Sequence, residues 1–127
     1  MEGRIRAGEA LFKMFCTGCH GPQGEGLVNI APTLHSDWVA GDRETLVKIL
    51  LHGLSGEIKI NGKLQHFEAP MPAFGAALGD DEIAAILTYI RTSFTDTKAG
   101  LTKEFVQEVR NGEEGKTGPY EAKELRP

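Results

Sequence analysis

Cys16-Thr17-Gly18-Cys19-His20 is the feature of this 127-residue chain that most narrows what it can fold into. On a helical turn, residues three and four apart share a face, so Cys16, Cys19 and His20 direct two thiols and an imidazole to one side. This spacing is the one that attaches haem covalently: the thiols form thioethers with the two vinyl groups and the imidazole stands over the iron. A chain that carries it has to fold around a flat, largely apolar group.

Two other chemistries use paired cysteines. A thioredoxin-type redox site needs a strand, a turn and a helix within a βαβ pattern, and no strand pattern precedes Cys16. A structural zinc site needs a second pair of ligands at tight spacing, whereas His35, His52 and His66 are scattered singly. The chain has two cysteines, both in the motif, so none is left over for another pairing.

The length fits one compact domain. Hydrophobic residues make up 40% and aromatics 7%, thin for a self-sufficient core, and a buried porphyrin would supply the missing apolar volume. The formal charge is −4 with no long run of one sign, which argues against nucleic acid as a partner. Residues Met1 to Glu9 contain no apolar stretch of signal or membrane-spanning length. Thioether attachment of haem belongs outside the cytoplasm, so an export signal or lipid anchor is expected to precede the sequence given, with the protein periplasmic or on the outer face of the membrane.

Ile5, Ala7, Leu11, Phe12, Met14 and Phe15 follow a helical period from Gly3 to Phe15, leading into Cys16. Gly18 to Gly26 reads as a loop around the cofactor edge. Asp42 caps a helix from Arg43 to about His52, which Gly53 ends. From Glu57 to Phe67 the period changes to two, with Ile58, Ile60, Leu64 and His66 alternating with Lys59, Lys63 and Gln65 about Asn61-Gly62, the signature of a β-hairpin. Glu68 to Gly79 returns to loop. Asp80 opens a helix ending near Phe94, with Ile83, Ile86, Leu87 and Ile90 on one face. A short helix starts at Thr102, and after Asn111 the Gly-, Glu-, Lys- and Pro-rich tail is either disordered or laid over the surface, with Tyr120 and Leu125 as its large anchors. The expected division is a haem domain over 1–97 and an extension over 98–127.

What fills the sixth position of the iron separates electron transfer from ligand chemistry. Met71 is the candidate, because Pro70 and Pro72 restrict the backbone on both sides of its thioether. Met14 lies too close to the tether to cross the ring, and Met1 is terminal. The alternative is that Met71 only plugs a loop against the core.

These features together resemble a class I cytochrome c of bacterial type. The resemblance rests on Gly8 and Phe12, on Cys16 to His20, on Ala31-Pro32-Thr33-Leu34, on Met71-Pro72-Ala73-Phe74, and on Asp81-Glu82-Ile83-Ala84 followed by Leu87-Thr88-Tyr89-Ile90-Arg91. It covers about Gly3 to Phe94. The hairpin resembles an insertion in cytochrome c domains that serve dehydrogenases and oxidases.

The resemblance implies an all-α fold of three to five helices around one covalent haem c, with iron held by His20 and Met71 and a small hairpin added. It implies that the Pro32 carbonyl accepts from His20 Nδ1, that Gly8 and Phe12 meet Ile86 and Tyr89 at a helix crossing, and that Trp38 approaches a haem propionate. For Trp38 a plain core position with its N–H on a backbone carbonyl stands beside that reading. Arg43 is a second propionate candidate, while His52 and His66 are expected to be a last-turn and a hairpin side chain rather than ligands.

The implied function is single-electron transfer by a non-enzymatic, monomeric carrier, with a quinol-oxidising complex or dehydrogenase as donor and a terminal oxidase as acceptor. The alternatives are the haem domain of a larger dehydrogenase or oxidase, and a peroxidase-like or gas-binding protein. Partners would meet the haem edge near Gly18, Gly21 to Gly26 and the Met71 to Gly75 loop. Lys13, Lys48, Lys59, Lys63 and Lys98 are spread rather than clustered, so no strong electrostatic steering is expected.

Overall fold

A close helix crossing sets the geometry of the N-terminal half. Helix α1 (Glu2–Phe15) packs on α5 (Asp80–Phe94), and Gly8 is buried at the contact. A Cβ at Gly8 would stand 2.0 Å from the Ala85 carbonyl oxygen and 2.8 Å from Tyr89 Cβ, so only a hydrogen fits there. Phe12, fully buried, sits one turn on with its ring 5.4 Å from Tyr89 and 5.5 Å from Phe94. The glycine therefore meets Ala85 and Tyr89 rather than Ile86, which is buried in the same cluster. The side chain at 86 fills the core, and the backbone at 85 makes the close approach.

This computed structural model describes residues 2–97 and 99–127; Met1 and Lys98 lie outside the described residues. In chain order, α1 is followed by the single turns α2 (Thr17–His20) and α3 (Asp37–Ala40), then α4 (Arg43–His52), strands β1 (Leu54–Ser55), β2 (Ile58–Ile60) and β3 (Lys63–Gln65), α5, α6 (Lys103–Gly112), β4 (Tyr120–Glu121) and a 3₁₀ turn over Ala122–Glu124. The architecture is mostly helical with two small sheets. Among the described residues no helix is long and apolar enough to cross a membrane.

Capping explains the helix limits. The Asp42 carboxylate accepts from the Glu44 N–H at 2.9 Å to start α4, and Thr102 accepts from Phe105 N–H at 3.1 Å to start α6. The turn before α5 is closed by Glu82, whose carboxylate accepts from the Gly79 N–H at 2.9 Å. Arg91, buried in α5, donates to the Val39 and Gly41 carbonyls at 3.1 and 2.8 Å, so it fastens the end of α3.

Asn61 and Gly62 both have positive φ, 51° and 85°, as a two-residue hairpin turn of the twist-matched type requires. The register pairs Ile58 with Gln65, Lys59 with Leu64 and Ile60 with Lys63. Ile58 and Ile60 are buried, but Leu64 is 62% exposed, against the alternation read from the sequence. A two-residue turn pairs an even position with an odd one, so Leu64 shares the outer face with Lys59.

The segment after Asn111 is packed on the domain. Strand β4 pairs in parallel with β1, Ala122 and Leu125 pack with Trp38, Ile49, Ile58 and Ile60, and Thr45 Oγ1 donates to the Arg126 carbonyl at 2.8 Å. Arg110 ties α6 to the loop before α5, reaching Asp80 at 2.7 Å and the Gly75 and Leu78 carbonyls at 2.7 and 2.9 Å.

Gly8→Ala is expected to destabilise the protein by about 1–3 kcal/mol, the usual range for overpacking. Urea unfolding measures it, and a loss under about 0.5 kcal/mol would show that the crossing is not tight.

Candidate functional site

The end of α1 delivers the motif. Cys16 N–H donates to Phe12 O at 2.9 Å, continuing the helical ladder, and His20 N–H donates to Cys16 O at 2.9 Å, closing the turn that carries both thiols and the imidazole. The helical turn reaches His20, and the loop begins at Gly21. It folds back on itself: Gly26 N–H donates to His20 O at 2.7 Å, Leu34 N–H to Gly24 O at 2.7 Å, and Leu27 and Ala31 exchange two backbone bonds at 3.0 Å. The fold-back brings the Pro32 carbonyl to within 2.9 Å of His20 Nδ1.

That contact fixes the imidazole. A carbonyl only accepts, so Nδ1 carries the proton and Nε2 keeps its lone pair. Burial lowers the His20 pKa, with the Pro32 bond pulling the other way, so the ring is neutral at pH 7 as a metal ligand must be.

Cys16, Cys19, His20, Pro32 and Met71 all line one cleft of about 160 Å³. Its remaining walls include Phe15, Ile30, Leu54, Phe67 and Phe74. The lining is overwhelmingly apolar, as the walls of cofactor sites usually are. Burial pushes the Cys16 thiol up to about 11, and the nearby Cys19 adds to the shift. A dithiol oxidoreductase needs the opposite shift, so the pair is poorly suited to thiol–disulfide exchange. Among the described residues no three His, Cys, Asp or Glu side chains converge as a cation site would need.

Met71 is held by its backbone. Its N–H donates to Leu54 O at 2.8 Å and its carbonyl accepts from Leu54 N–H at 3.2 Å. The following residues finish α4: Phe74 N–H donates to Leu50 O at 2.8 Å and Gly75 N–H to Leu51 O at 3.2 Å, satisfying last-turn carbonyls. Gly53, at φ 84°, lets the chain turn from α4 into β1, and a Cβ there would stand 2.4 Å from Met71 O.

Other sequence candidates lie elsewhere. Trp38 Nε1–H donates to Lys59 O at 2.7 Å, so the indole secures the hairpin and its donor is not free for a propionate. Trp38 is also absent from the cleft lining, and the core alternative describes it. Arg43 lies over the Phe105 ring at 4.7 Å. His66 is exposed at the end of the hairpin. His52 ends α4 facing the C-terminal segment, with Nε2 3.5 Å from Glu113 Oε1 and its ring 5.8 Å from Tyr120. Leu54 was not legible as a site residue, because its contribution is backbone. Phe67 carried a weak signal as the apolar residue closing the hairpin.

The chain matches the family model described as cytochrome C oxidase, cbb3-type, subunit III, over residues 3–90. It is 38% identical over 88 residues to cytochrome c-552 of Thermus thermophilus, a match covering 65% of each protein. It is equally similar to the cytochrome c-552 of a second Thermus thermophilus strain, where the match covers 57% of the relative. The cytochrome subunit of fructose dehydrogenase from Gluconobacter japonicus is 29% identical over 113 residues, 83% of this chain and 22% of that subunit. The chain thus spans less than two thirds of the length of each of these relatives.

Burial holds the His52 pKa below its ordinary value, against the pull of Glu113 and with Lys116 and Arg110 adding to the lowering. The unfolded chain therefore takes up this proton first, and stability is lost as pH falls from about 7 through the ordinary histidine range of ~6.5. His52→Leu is expected to flatten that slope in urea unfolding between about pH 7 and pH 5. An unchanged slope would show that His52 titrates alike in both states.

Proposed function

The chain belongs to the family described as cytochrome C oxidase, cbb3-type, subunit III, and from that premise we propose that it is a mono-haem electron carrier with iron held between His20 and Met71. The observation that carries the reading is one apolar cleft lined by two thiols, an imidazole whose Nδ1 is fixed by Pro32, and a backbone-clamped thioether. This donor set fits haem c.

When bound, haem supplies one-electron ferric–ferrous chemistry. Cys16 and Cys19 would tether it through thioether bonds, and His20 Nε2 and the Met71 sulfur would be the groups that hold the iron. The Pro32 carbonyl keeps the imidazole in the ligating tautomer and raises its basicity. Thioether sulfur favours the ferrous state and the apolar walls disfavour the additional ferric charge, so the reduction potential is comparatively high. Held by both His20 and Met71, the group would be reduced and oxidised without either residue being exchanged. Among the described residues the cleft lining carries no second histidine and no arginine to polarise a peroxide, which supports a carrier over a peroxidase-like role.

Ile30, which lines the cleft, is 43% exposed, and Leu27 and Val28 of the same loop are 47% and 89% exposed, an apolar centre for a transient redox partner. Lys13 and Lys48 pair with Glu9 and Glu44 on their own helices. Docking with weak salt dependence follows. The same reading takes the protein to the periplasmic side, as a monomer passing electrons from a quinol-oxidising complex or dehydrogenase to a terminal oxidase. The fructose dehydrogenase relative favours a second reading, in which this chain is the haem domain serving a dehydrogenase.

Met71→Ala is expected to lower the midpoint potential by on the order of 0.1–0.3 V, part of the roughly 0.8 V range that axial ligation commands, and to admit cyanide. Potentiometric titration and cyanide binding measure both. An unchanged potential and spectrum would remove Met71 as ligand.

A further inference from the structure

Leu54 is the middle of a three-strand backbone lattice. On one edge it exchanges both of its backbone hydrogen bonds with Met71, at 2.8 and 3.2 Å. On the other edge β4 runs parallel to β1, with Leu54 opposite Tyr120 and Ser55 opposite Glu121, and Tyr120 N–H donates to Gly53 O at 3.1 Å. We propose that the segment Tyr120–Leu125 is a positioning strap that holds β1 in place and thereby keeps Met71 seated at the sixth position.

This rests on the assignment of Met71 as iron ligand. Pro70 and Pro72 have no N–H, so within Pro70-Met71-Pro72 the Met71 amide is the one donor that can anchor the backbone, and it goes to Leu54. A two-residue strand has no stability of its own and stays ordered only through what flanks it. On the N-terminal side β1 is held by Gly53, whose N–H donates to Ile49 O at 2.7 Å. Its free edge is covered by β4.

The strap and the residue that follows it are anchored at three further points. Ala122, 8% exposed, lies among Trp38, Ile49, Ile58 and Ile60; Tyr120 OH donates to Glu113; and the Arg126 carbonyl accepts from Thr45. These contacts lead from the strap to the ends of α4 and α6 and to the hairpin. The strap lies beyond residue 90, where the match to the family model ends. A segment that only raised global stability would protect all core amides alike. The lattice instead singles out Leu54 and Met71.

The test uses the haem-loaded full chain carrying Tyr120→Pro, which deletes the donor to Gly53, compared with Tyr120→Phe, which keeps it. In Tyr120→Pro, hydrogen exchange at the Leu54 and Met71 amides is expected to rise roughly five- to tenfold, the weight of one backbone hydrogen bond. Cyanide is expected to enter the ferric protein faster by the same factor. Tyr120→Phe keeps the backbone donor and loses only the side-chain anchor to Glu113, so it should raise both by less than Tyr120→Pro does. Ala122→Asp, which expels the 3₁₀ turn from the Trp38 cluster, is expected to act like Tyr120→Pro and serves if that variant does not mature. Unchanged Leu54 and Met71 exchange with unchanged cyanide entry overturns the strap, whether the Glu121–Leu125 amides are released or stay protected in both variants. Equal cyanide rates in the unaltered protein and Met71→Ala would instead overturn the ligand assignment, and the strap with it.

Discussion

The hydrogen bond between His20 Nδ1 and the Pro32 carbonyl, at 2.9 Å, is the contact on which the site depends. It fixes which ring nitrogen carries the proton and so which is free to bind metal. It also explains the loop after the motif: the fold-back from Gly21 to Leu34, with its own ladder of backbone bonds, brings a carbonyl back to the imidazole. The other end of the motif is fixed by α1, whose position follows from the Gly8 crossing on α5. One wall of the cleft is thus set by a helix crossing and one backbone acceptor.

The opposite wall is built differently. Met71 lies in a loop between prolines, and its placement comes from Leu54 on one side and from the last-turn carbonyls of α4 on the other. Those carbonyls need partners in any case, so one set of bonds both ends the helix and seats the loop. Helix α6 reinforces this through Arg110, which holds the Gly75 and Leu78 carbonyls. The parts of the chain beyond the family match therefore bear on the Met71 loop as well as on the core.

How much of this was legible depended on whether the signal lay in side chains or in backbone. Asp42 and Gly53 bounded α4 correctly, because capping is a local chemistry. Asn61-Gly62 gave the turn, but the face of Leu64 was misassigned, since the partner parity across a two-residue turn is a property of pairing rather than of the alternation along the chain. Trp38 was left between a propionate and a carbonyl, and only the position of Lys59 decides where its N–H points. The β1–β4 pairing had no sequence signal: strands of two residues show no period, and their partners are distant along the chain. Cys16, Cys19 and His20 share the cleft with Met71, whose spacing between prolines was the signal.

An electron carrier of the kind proposed needs its metal environment to stay the same in both oxidation states, and His20 and Met71, each fixed by backbone hydrogen bonds in an apolar cleft, would meet that need. The most direct measurement is proton NMR of the reduced, haem-loaded protein with the methionine methyls assigned. Ligation by Met71 places its methyl directly over the ring, so the account predicts one strongly upfield-shifted three-proton resonance belonging to Met71, in a protein with no titratable thiols. A Met71 methyl at its ordinary position, or thiols of Cys16 and Cys19 that remain free, would contradict it.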